Sequence, residues 1–493
     1  MKKPALTIKK ATIPLKYVKR LLTLLSTFVS IIAFAQQNKP SDAYAAAMGL
    51  TKSNPTQTLS VDIDWDKSVG KVKELHGVNN SPVVHYRTIP EFKEAGIPYS
   101  RTHDTYSRFG GNVYVDIPNI FPNFDADPND PASYDFTFTD AYINSLVKSG
   151  TKVFYRLGVT IENNHKLKAY RIYPPKDNLK WAKICAGIIR HYTKGWAKGH
   201  NYDIKYWEIW NEPENPMMWK GTRQEFFELY KTAATYLKKE FPEIKIGGFA
   251  GCGFFEITRP MEKCPTRGLK ILDWFHEFIQ LAADKKNPVP LDFFSWHLYT
   301  DDPKELGIHA EYVRKSLDKL GLTHVENINN EWNYTLGAKH AKTRKNEKGA
   351  SMCAATMCIM QQGSVDKAMY YDATPTRSYC GIYNYPEMTL TKTYFVFKAF
   401  NELYKLGTSV AISDRKDKEI YAIAATDESK SNKAILVTNY SDEEQNVKLN
   451  FKGDATSVVL IDTDYTFTEI NYMLSSKKTL KMPPYSTFLI KVK

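Results

Sequence analysis

Hydrophobic and polar positions follow two alternating patterns along most of the chain. Short apolar runs of strand length are followed by a polar loop and then by a longer stretch with helical spacing. The eight strand-like runs are ELHGVN (74–79), IPYSRTHD (97–104), TKVFYRLGVT (151–160), DIKYWEIWNEP (203–213), IKIGGFAG (244–251), LDFFSWHLYT (291–300), HVENINNEWN (324–333) and KAMYYDA (367–373).

The stretches between these runs have the spacing of amphipathic helices, as in RQEFFELYKTAATYLKKEF (223–241). Alternation of eight strands with helices predicts an α/β chain folded as a (β/α)8 TIM barrel. An open doubly wound sheet is the alternative, and it would place a glycine-rich phosphate loop after its first strand. The corresponding segment HGVNNSP (76–82) contains no G-x-G-x-x-G, so the pattern favours the closed barrel.

A different pattern begins near residue 409. Short alternating segments separated by polar turns follow one another without a helical stretch, as in EIYAIAAT (419–426). This pattern predicts a barrel over residues 59–408 followed by an antiparallel β-sandwich over residues 409–493. The run LSVDIDWD (59–66) also alternates, and it either opens the barrel domain or pairs with the sandwich.

The first 35 residues have the composition of a secretory signal peptide. Residues 1–20 carry seven Lys or Arg and no acid, and the apolar run LLTLLSTFVSIIAFA (21–35) ends in the small-residue pattern Ala33-Phe34-Ala35. The apolar run is shorter than the roughly 20 residues of a membrane-spanning helix. We therefore expect a cleaved signal (1–35), a loose leader (36–58) and export to the periplasm or the cell exterior. An uncleaved anchor and a start codon further downstream are the alternatives.

The net charge of +13 belongs in part to this signal. Without residues 1–35, which hold seven positive and no negative charges, the net charge falls to about +6. The chain has no basic stripe or basic helix, so the sequence gives no sign of a nucleic-acid partner. After signal removal no stable membrane insertion is expected. Nothing in the pattern indicates the oligomeric state.

The chain contains six cysteines and no C-x-x-C pair, so a zinc site built on cysteines is not expected. Export permits a disulfide, and Cys252 and Cys264 are the best candidates because they bracket a short loop. Cys353 and Cys358 lie on a predicted helix and are expected to be buried thiols.

Polar and ionisable side chains collect where the predicted strands end, which is the rim that carries the active site in this barrel. The candidate site residues are Arg101, His103, Asp104, Asn211, Glu212, His297, Tyr299, Glu331 and Trp332. Glu212 and Glu331 stand out because apolar strands carry them. Strands four and seven face each other across the barrel mouth, so the two carboxyl groups are expected to converge.

A convergent pair of carboxyl groups is what glycoside hydrolysis needs. One carboxylic acid protonates the leaving oxygen, while the other attacks the anomeric carbon or activates a water. A carboxyl separation of about 5–5.5 Å predicts retention through a covalent intermediate, and about 6.5–9.5 Å predicts inversion. No metal or organic cofactor is required for this chemistry.

The two carboxyl groups need different protonation states near neutral pH. Glu212 has to stay protonated, and we expect apolar tryptophan-rich surroundings to raise its pKa. The tryptophans concerned are Trp207, Trp210 and Trp219. Glu331 has to stay ionised, which Arg101 or Tyr299 is expected to support by charge or by hydrogen bonding.

Asn211-Glu212-Pro213 after an aromatic strand, with a second Glu at the end of strand seven, resembles the clan A glycoside hydrolases. The resemblance is most specific to glycoside hydrolase family 39, the family of β-xylosidases and α-L-iduronidase, and it extends over most of residues 59–493. The segments that carry it are WEIWNEPENPMMWKGTRQEFFELYKTAATYLKKEFPEIKIGGFA (207–250), DFFSWHLYT (292–300) and NEWNYT (330–335).

The resemblance implies roles for individual residues. Glu212 would be the acid/base and Glu331 the nucleophile, while Asn211 would bind the sugar 2-hydroxyl. His297 and Tyr299 would shape the site near Glu331. His103 would bind the non-reducing-end sugar. Independently of the resemblance, Arg101 and Asp104 are candidate substrate-binding residues because they end the second strand, and Trp332 is a candidate stacking platform beside Glu331.

Two short segments differ from the family's usual pattern. Asn330-Glu331-Trp332-Asn333 stands where T-E-Y/F-N is more common, and Arg101-Thr102-His103-Asp104 stands where R-F-H-G is usual. These differences bear on the identity of the sugar rather than on the reaction.

The sequence therefore predicts an exported retaining glycoside hydrolase that acts on terminal bonds of β-xylosides or related glycans. An oligosaccharide or polysaccharide is the expected partner. An endo-acting clan A glycanase is one alternative. A non-catalytic carbohydrate-binding protein on the same fold is the other, although such a protein usually lacks one of the two carboxylates.

Overall fold

The computed structural model describes residues 58–83, 87–105, 114–160, 171–471 and 479–493. The predicted signal peptide and nearly all of the predicted leader lie outside these ranges. Among the described residues, no helix has both the length and the apolar character needed to cross a membrane.

Eight parallel strands close into a barrel in chain order, from β2 round to β9. The strands up to this point are β1 (Leu59–Lys71), β2 (Glu74–Asn79), β3 (Tyr99–Thr102), β4 (Lys152–Leu157), β5 (Tyr206–Ile209), β6 (Lys245–Gly251), β7 (Phe293–Tyr299), β8 (Glu326–Asn333) and β9 (Lys367–Tyr370). Each of the eight predicted runs contains one barrel strand, and the predicted fold class is confirmed.

Helices pack against the outside of the barrel strands. They are α1 (Ile89–Ala95), α2 (Ile117–Ile120), α3 (Thr137–Lys148), α4 (Asn178–Lys194), α5 (Arg223–Glu240), α6 (Ile271–Ala283), α7 (Pro303–Lys319), α8 (Glu347–Gln362) and α9 (Lys392–Leu406). The start of α5 illustrates the local causes: Thr222 and Glu225 form a reciprocal capping box at its N-terminus. Phe226 and Tyr230, one turn apart, then face the core.

The barrel interior contains two successive layers of side chains. The apolar layer consists of Tyr99, Phe154, Tyr206, Phe293, Ile328 and Met369. Because side chains two positions apart on a strand share a face, the next inward positions lie above this layer. They form the polar layer: Asn79, Arg101, Glu208, Ser295 and Asn330, which are hydrogen-bonded to one another. The active-site rim therefore rests on a polar layer, which in turn rests on an apolar one.

The C-terminal part forms one curled, mixed nine-stranded sheet in the order β17-β16-β19-β14-β13-β12-β1-β15-β18. The strands after the barrel are β10 (Tyr383–Asn384), β11 (Thr389–Leu390), β12 (Thr408–Ser413), β13 (Ile420–Thr426), β14 (Lys433–Asn439), β15 (Gln445–Asn450), β16 (Ala455–Ile461), β17 (Thr468–Glu469), β18 (Thr479–Met482) and β19 (Thr487–Val492). The sheet encloses its own hydrophobic core, which is compatible with the predicted sandwich. Strand β1 lies in this sheet, antiparallel to β12 and parallel to β15.

Candidate active site

Glu212 follows β5 on a sharply turned segment. Trp210 and Glu212 both have left-handed backbone angles, with φ of 74° and 44°, a conformation that costs free energy in residues with a side chain. Two hydrogen bonds fix the turn: Trp210 N donates to Leu157 O at 2.7 Å, and Glu212 N donates to Ala250 O at 3.0 Å. The neighbouring strands β4 and β6 thus hold the carboxyl group at the rim.

Glu331 reaches the barrel mouth because β8 contains a bulge. Trp296 pairs with Asn329, but His297 pairs with Glu331, so Asn330 is an extra residue. Asn330 donates to Glu208 inside the barrel. The following residue, Glu331, accepts hydrogen bonds from Arg101 and Tyr299 at the active-site rim.

His297 connects the two carboxyl groups. Its Nδ1 lies 2.8 Å from Glu212 Oε1, and its Nε2 lies 3.7 Å from Glu331 Oε2. A carboxylate oxygen of Glu212, one of Glu331 and a ring nitrogen of His297 all lie within 4.8 Å of one another. The carboxylates that the sequence predicted to converge are therefore neighbours.

Arg101 is buried and joins the polar layer to both sides of the site. Its Nη1 donates to Glu331 Oε2 at 3.0 Å, and its Nη2 donates to Asn211 Oδ1 at 2.6 Å. Its Nε donates to Glu208 Oε2 at 2.7 Å. Tyr299 donates its hydroxyl to Glu331 Oε1 at 2.5 Å. Both oxygens of Glu331 thus accept a hydrogen bond, one of them from a permanent cation.

His103 and Asp104 lie beside this network at the end of β3. Arg156 Nη2 donates to the His103 carbonyl at 2.8 Å, and its Nε lies 3.3 Å from His103 Nδ1. Asp104 accepts from the Tyr371 hydroxyl and, at 3.2 Å, from Arg377 Nη1. Burial lowers the pKa of His103 well below its usual value, which favours the neutral ring. The Nε2 of this ring lies 3.4 Å from Asp104 Oδ1.

The pKa values of the two carboxyl groups differ from the expectation. Burial acts to raise the pKa of Glu212, but the hydrogen bond and charge of His297 outweigh it, and the pKa is lowered. For Glu331, burial dominates over the charges of His297 and Arg101, and the pKa is raised. The pKa of His297 is also raised: the charge of Glu331 and the bond to Glu212 outweigh burial.

The pKa values expected from the sequence did not take account of His297, which lies close to both carboxyl groups. Tryptophans do surround the turn that holds Glu212, but their indole N–H groups donate to backbone carbonyls. Trp207 donates to Ile204 O, Trp210 to Met218 O and Trp219 to Thr222 O. These rings are buried supports of the loop.

Two further expectations are wrong in this structure. Trp332 is fully buried, and its ring meets Tyr370 edge to face within the core outside the barrel strands. The bulge that turns Glu331 to the mouth turns this next residue away from it. Cys252 and Cys264 are both free, buried thiols rather than a disulfide.

Glu208 and Glu214 belong to the site but were not among the predicted site residues. Glu208 is fully buried and accepts from Arg101, Ser295 and Asn330. Glu214 accepts from the backbone N–H of Cys252. Burial, together with the charge of nearby Glu212, raises the pKa of Glu214 to about 7. The sequence signal that could have indicated Glu208 is its position as a carboxylate inside the aromatic strand YWEI.

Residues 57–345 match the sequence pattern of glycosyl hydrolases family 39. A β-xylosidase from Caldicellulosiruptor saccharolyticus is 30% identical over 206 residues, which cover 40% of this chain and 37% of that protein. A β-xylosidase from Geobacillus stearothermophilus is 24% identical over 246 residues, covering 48% of this chain and 43% of that protein. The matched segments thus span less than half of either relative.

Among solved structures, a glucosidase from Croceicoccus marinus superposes with a TM-score of 0.71 at 19% identity. The superposition covers 89% of this chain and 99% of that one. At this identity the likeness shows the shared fold. Since the family pattern covers more than half of the chain and includes both convergent carboxylates, the chain belongs to glycosyl hydrolases family 39.

Proposed function

We propose that this protein is an exported retaining glycosidase that cleaves terminal glycosidic bonds of β-xylosides or related glycans. Glu212 is the acid/base and Glu331 the nucleophile. The observation that carries the proposal is the approach of their carboxylate oxygens to within 4.8 Å. This close approach of single oxygens suits the double-displacement mechanism, whose carboxyl groups lie about 5–5.5 Å apart, better than inversion, whose carboxyl groups lie about 6.5–9.5 Å apart.

In the first step, a carboxylate oxygen of Glu331 forms a bond to the anomeric carbon as the bond to the leaving oxygen breaks. Glu212 gives its proton to that leaving oxygen. Arg101 and Tyr299 hold the attacking carboxylate by one hydrogen bond on each oxygen. This fixed geometry lowers the entropy cost of attack.

In the second step, water attacks the anomeric carbon and the ester bond to Glu331 breaks. Glu212, now ionised, takes a proton from that water. While Glu331 is esterified it carries no charge. The repulsion between the two carboxylates, which favours the protonated form of Glu212, is then absent. The same residue can therefore act first as an acid and then as a base.

His297 supplies the proton for the first step. In the free site the pKa of Glu212 is lowered and the pKa of His297 is raised. The proton shared by these two side chains therefore lies on the imidazole ring. Its Nδ1 lies 2.8 Å from Glu212 Oε1, a distance across which one proton transfer produces neutral His297 and protonated Glu212. Arrival of a neutral sugar favours this transfer, because excluding water penalises charged groups.

Asn211 is oriented by Arg101 to bind the sugar. Its Oδ1 accepts the 2.6 Å hydrogen bond from Arg101, which leaves the Nδ2 amide hydrogens to donate to the 2-hydroxyl beside the reacting carbon. His103 and Asp104 are the candidates for the other hydroxyls of the terminal sugar. The sugar itself is inferred from the two relatives named β-xylosidase.

Hydrolysis of a panel of nitrophenyl glycosides by the purified protein tests the reaction. We expect turnover on the β-xyloside or a close relative, with the product sugar first released in the β configuration when followed by NMR. Glu331→Gln should lose about 10⁴-fold or more in kcat. Glu212→Gln should lose about 10²–10⁴-fold on substrates with poor leaving groups.

A matched control is Glu326→Gln, which changes another carboxyl of β8, at the opposite end of the strand from Glu331. This variant should retain turnover. Initial release of the inverted sugar would overturn the double-displacement mechanism, and full activity of Glu331→Gln would overturn its assignment. Internal cleavage of a polysaccharide without release of terminal sugars would support the endo-acting alternative instead.

A further inference from the structure

Outside the active site, the side chains of Asp140, His191 and His200 converge. Asp140 lies in α3, His191 in the last turn of α4, and His200 in the loop after α4. His191 Nε2 is 2.9 Å and His200 Nε2 is 3.6 Å from the same Asp140 Oδ1. The three potential ligand atoms all lie within 4.8 Å of one another.

The backbone and aromatic neighbours hold both imidazoles in place. His200 N donates to the His191 carbonyl at 2.6 Å, and Gly195 N donates to the His200 carbonyl at 2.9 Å, which closes the loop. The His191 ring stacks on Phe136 with centroids 3.5 Å apart, and the His200 ring stacks on Tyr202 at 4.6 Å. The two rings are therefore fixed before anything binds.

The hydrogen bonds of His191 leave its Nε2 facing a second acceptor. Its Nδ1 lies 3.0 Å from the Trp196 carbonyl, which can only accept, so Nδ1 carries a proton. In neutral His191 the Nε2 lone pair then points at a carboxylate oxygen, an arrangement that requires a proton or a cation between them. His200 Nε2 is buried and makes no hydrogen bond among the described residues.

We propose that Asp140, His191 and His200 bind one divalent zinc ion. Two imidazole nitrogens and one carboxylate are typical zinc ligands, and bonds of about 2.0–2.2 Å place tetrahedral ligand atoms ~3.4 Å apart. The observed separations of 2.9 and 3.6 Å fall on either side of this value. A ligating histidine usually donates its other ring N–H to a carbonyl or carboxylate, which fixes the orientation of the ring, and His191 makes such a bond to Trp196.

Three protein ligands leave the fourth tetrahedral position for a water. The ion joins α3 to α4 and its following loop, whereas the catalytic carboxylates come from β5 and β8. Zinc at this site therefore stabilises the fold by binding the native state and takes no part in glycoside hydrolysis.

Zinc binding by the full purified chain tests the proposal. After treatment with EDTA and removal of the chelator, the protein is titrated with zinc chloride by calorimetry, and bound metal is counted by elemental analysis. We expect one zinc per chain and a higher melting temperature with zinc. Asp140→Asn and His200→Ala should each weaken binding at least tenfold and abolish the shift in melting temperature.

Two controls separate this site from others. His276→Ala removes an exposed histidine outside the cluster and should bind zinc like the wild type. Glu331→Gln removes a member of the active-site group Glu212, His297 and Glu331, which could also gather around a cation, and should likewise retain binding. Absence of stoichiometric binding, binding that survives Asp140→Asn, or binding lost in Glu331→Gln would overturn the proposal. Retained glycoside hydrolysis in Asp140→Asn verifies that this variant is folded.

Discussion

The two layers inside the barrel lie two residues apart on the same strands, yet different forces hold them. In the apolar layer, Phe154, Tyr206 and Phe293 pack ring against ring. Burial of such surface is favourable in itself. In the polar layer, Arg101 and Glu208 are a fully buried ion pair at 2.7 Å, and removing two charges from water is costly unless every group is paired.

The difference shows what the polar layer is for. An apolar residue in place of Arg101 could fill the space, but it could not donate to Glu331 on one side and Asn211 on the other. The apolar layer gives the barrel stability, and the polar layer trades part of that stability for oriented active-site groups. Substitutions in each layer should therefore separate stability from activity.

The largest effect is expected for Arg101→Met, which keeps the volume and removes the charge. Glu208 and Glu331 then remain buried without their cation, and the free energy of unfolding should fall by about 3–5 kcal/mol. Activity should be lost with it. Urea denaturation measures the change. Lys315→Met breaks an exposed pair with Glu311 on α7 and should cost less than about 1 kcal/mol; equal losses would contradict the comparison.

Glu214→Gln should change how stability depends on pH. The pKa of Glu214 is about 7 in the folded chain and 4.5 without the fold, so the unfolded chain loses this proton first as pH rises. Wild-type stability therefore falls across this window, by about 3 kcal/mol from this group. The glutamine variant has no such proton and should gain about that much relative to wild type.

Unfolding of both proteins by urea at pH 4.5 and pH 7 measures this gain. Glu228→Gln, an exposed carboxyl of α5, is the control and should leave the pH difference unchanged. A constant offset between Glu214→Gln and wild type at both pH values would show that Glu214 ionises freely in the fold.

Tyr299→Phe and Tyr206→Phe compare the same bond at the two ends of the barrel. Tyr299 donates to Glu331 at 2.5 Å, and Tyr206 donates to Glu326 at 2.8 Å. Loss of a hydrogen bond to a charged group costs about 1.5–3 kcal/mol, so Tyr299→Phe should reduce kcat/KM about 10- to 100-fold. Tyr206→Phe should leave kcat/KM unchanged and affect only stability.

The pH profile of Tyr299→Phe gives a second readout. The Tyr299 hydroxyl stabilises ionised Glu331 and thereby lowers its pKa. Without it that pKa rises, so the acidic limb of kcat/KM should move to higher pH. A shift toward lower pH would show that this limb reports another group.

The smallest effect is expected for Ile328→Val in the apolar layer. Removing one buried methylene should cost about 0.5–1.5 kcal/mol of unfolding free energy. Because Ile328 lies below the polar layer, kcat/KM should stay within about twofold of wild type, a difference of under about 0.5 kcal/mol. A large loss of activity would show that packing in the apolar layer controls the positions of the active-site groups above it.

The sequence determined the barrel because local hydrophobic spacing is enough to identify strands and helices. It also identified the rim residues, since strand ends and apolar flanks mark Glu212 and Glu331. The pattern in β1 was compatible with two placements, because alternation states which face is buried and not which strand is its neighbour. Only the pairing with β12 and β15 assigns it to the C-terminal sheet.

Tertiary structure alone decided the electrostatics and the direction of side chains. Trp332 looked like a sugar-facing ring, but a bulge of one residue in β8 sends it into the outer core. His297 was predicted to shape the site near Glu331, but its bond to Glu212 reverses the expected order of the two carboxyl pKa values. Sequence fixes which charges exist, but a pKa depends on burial and on distances of a few ångströms between residues far apart in the chain.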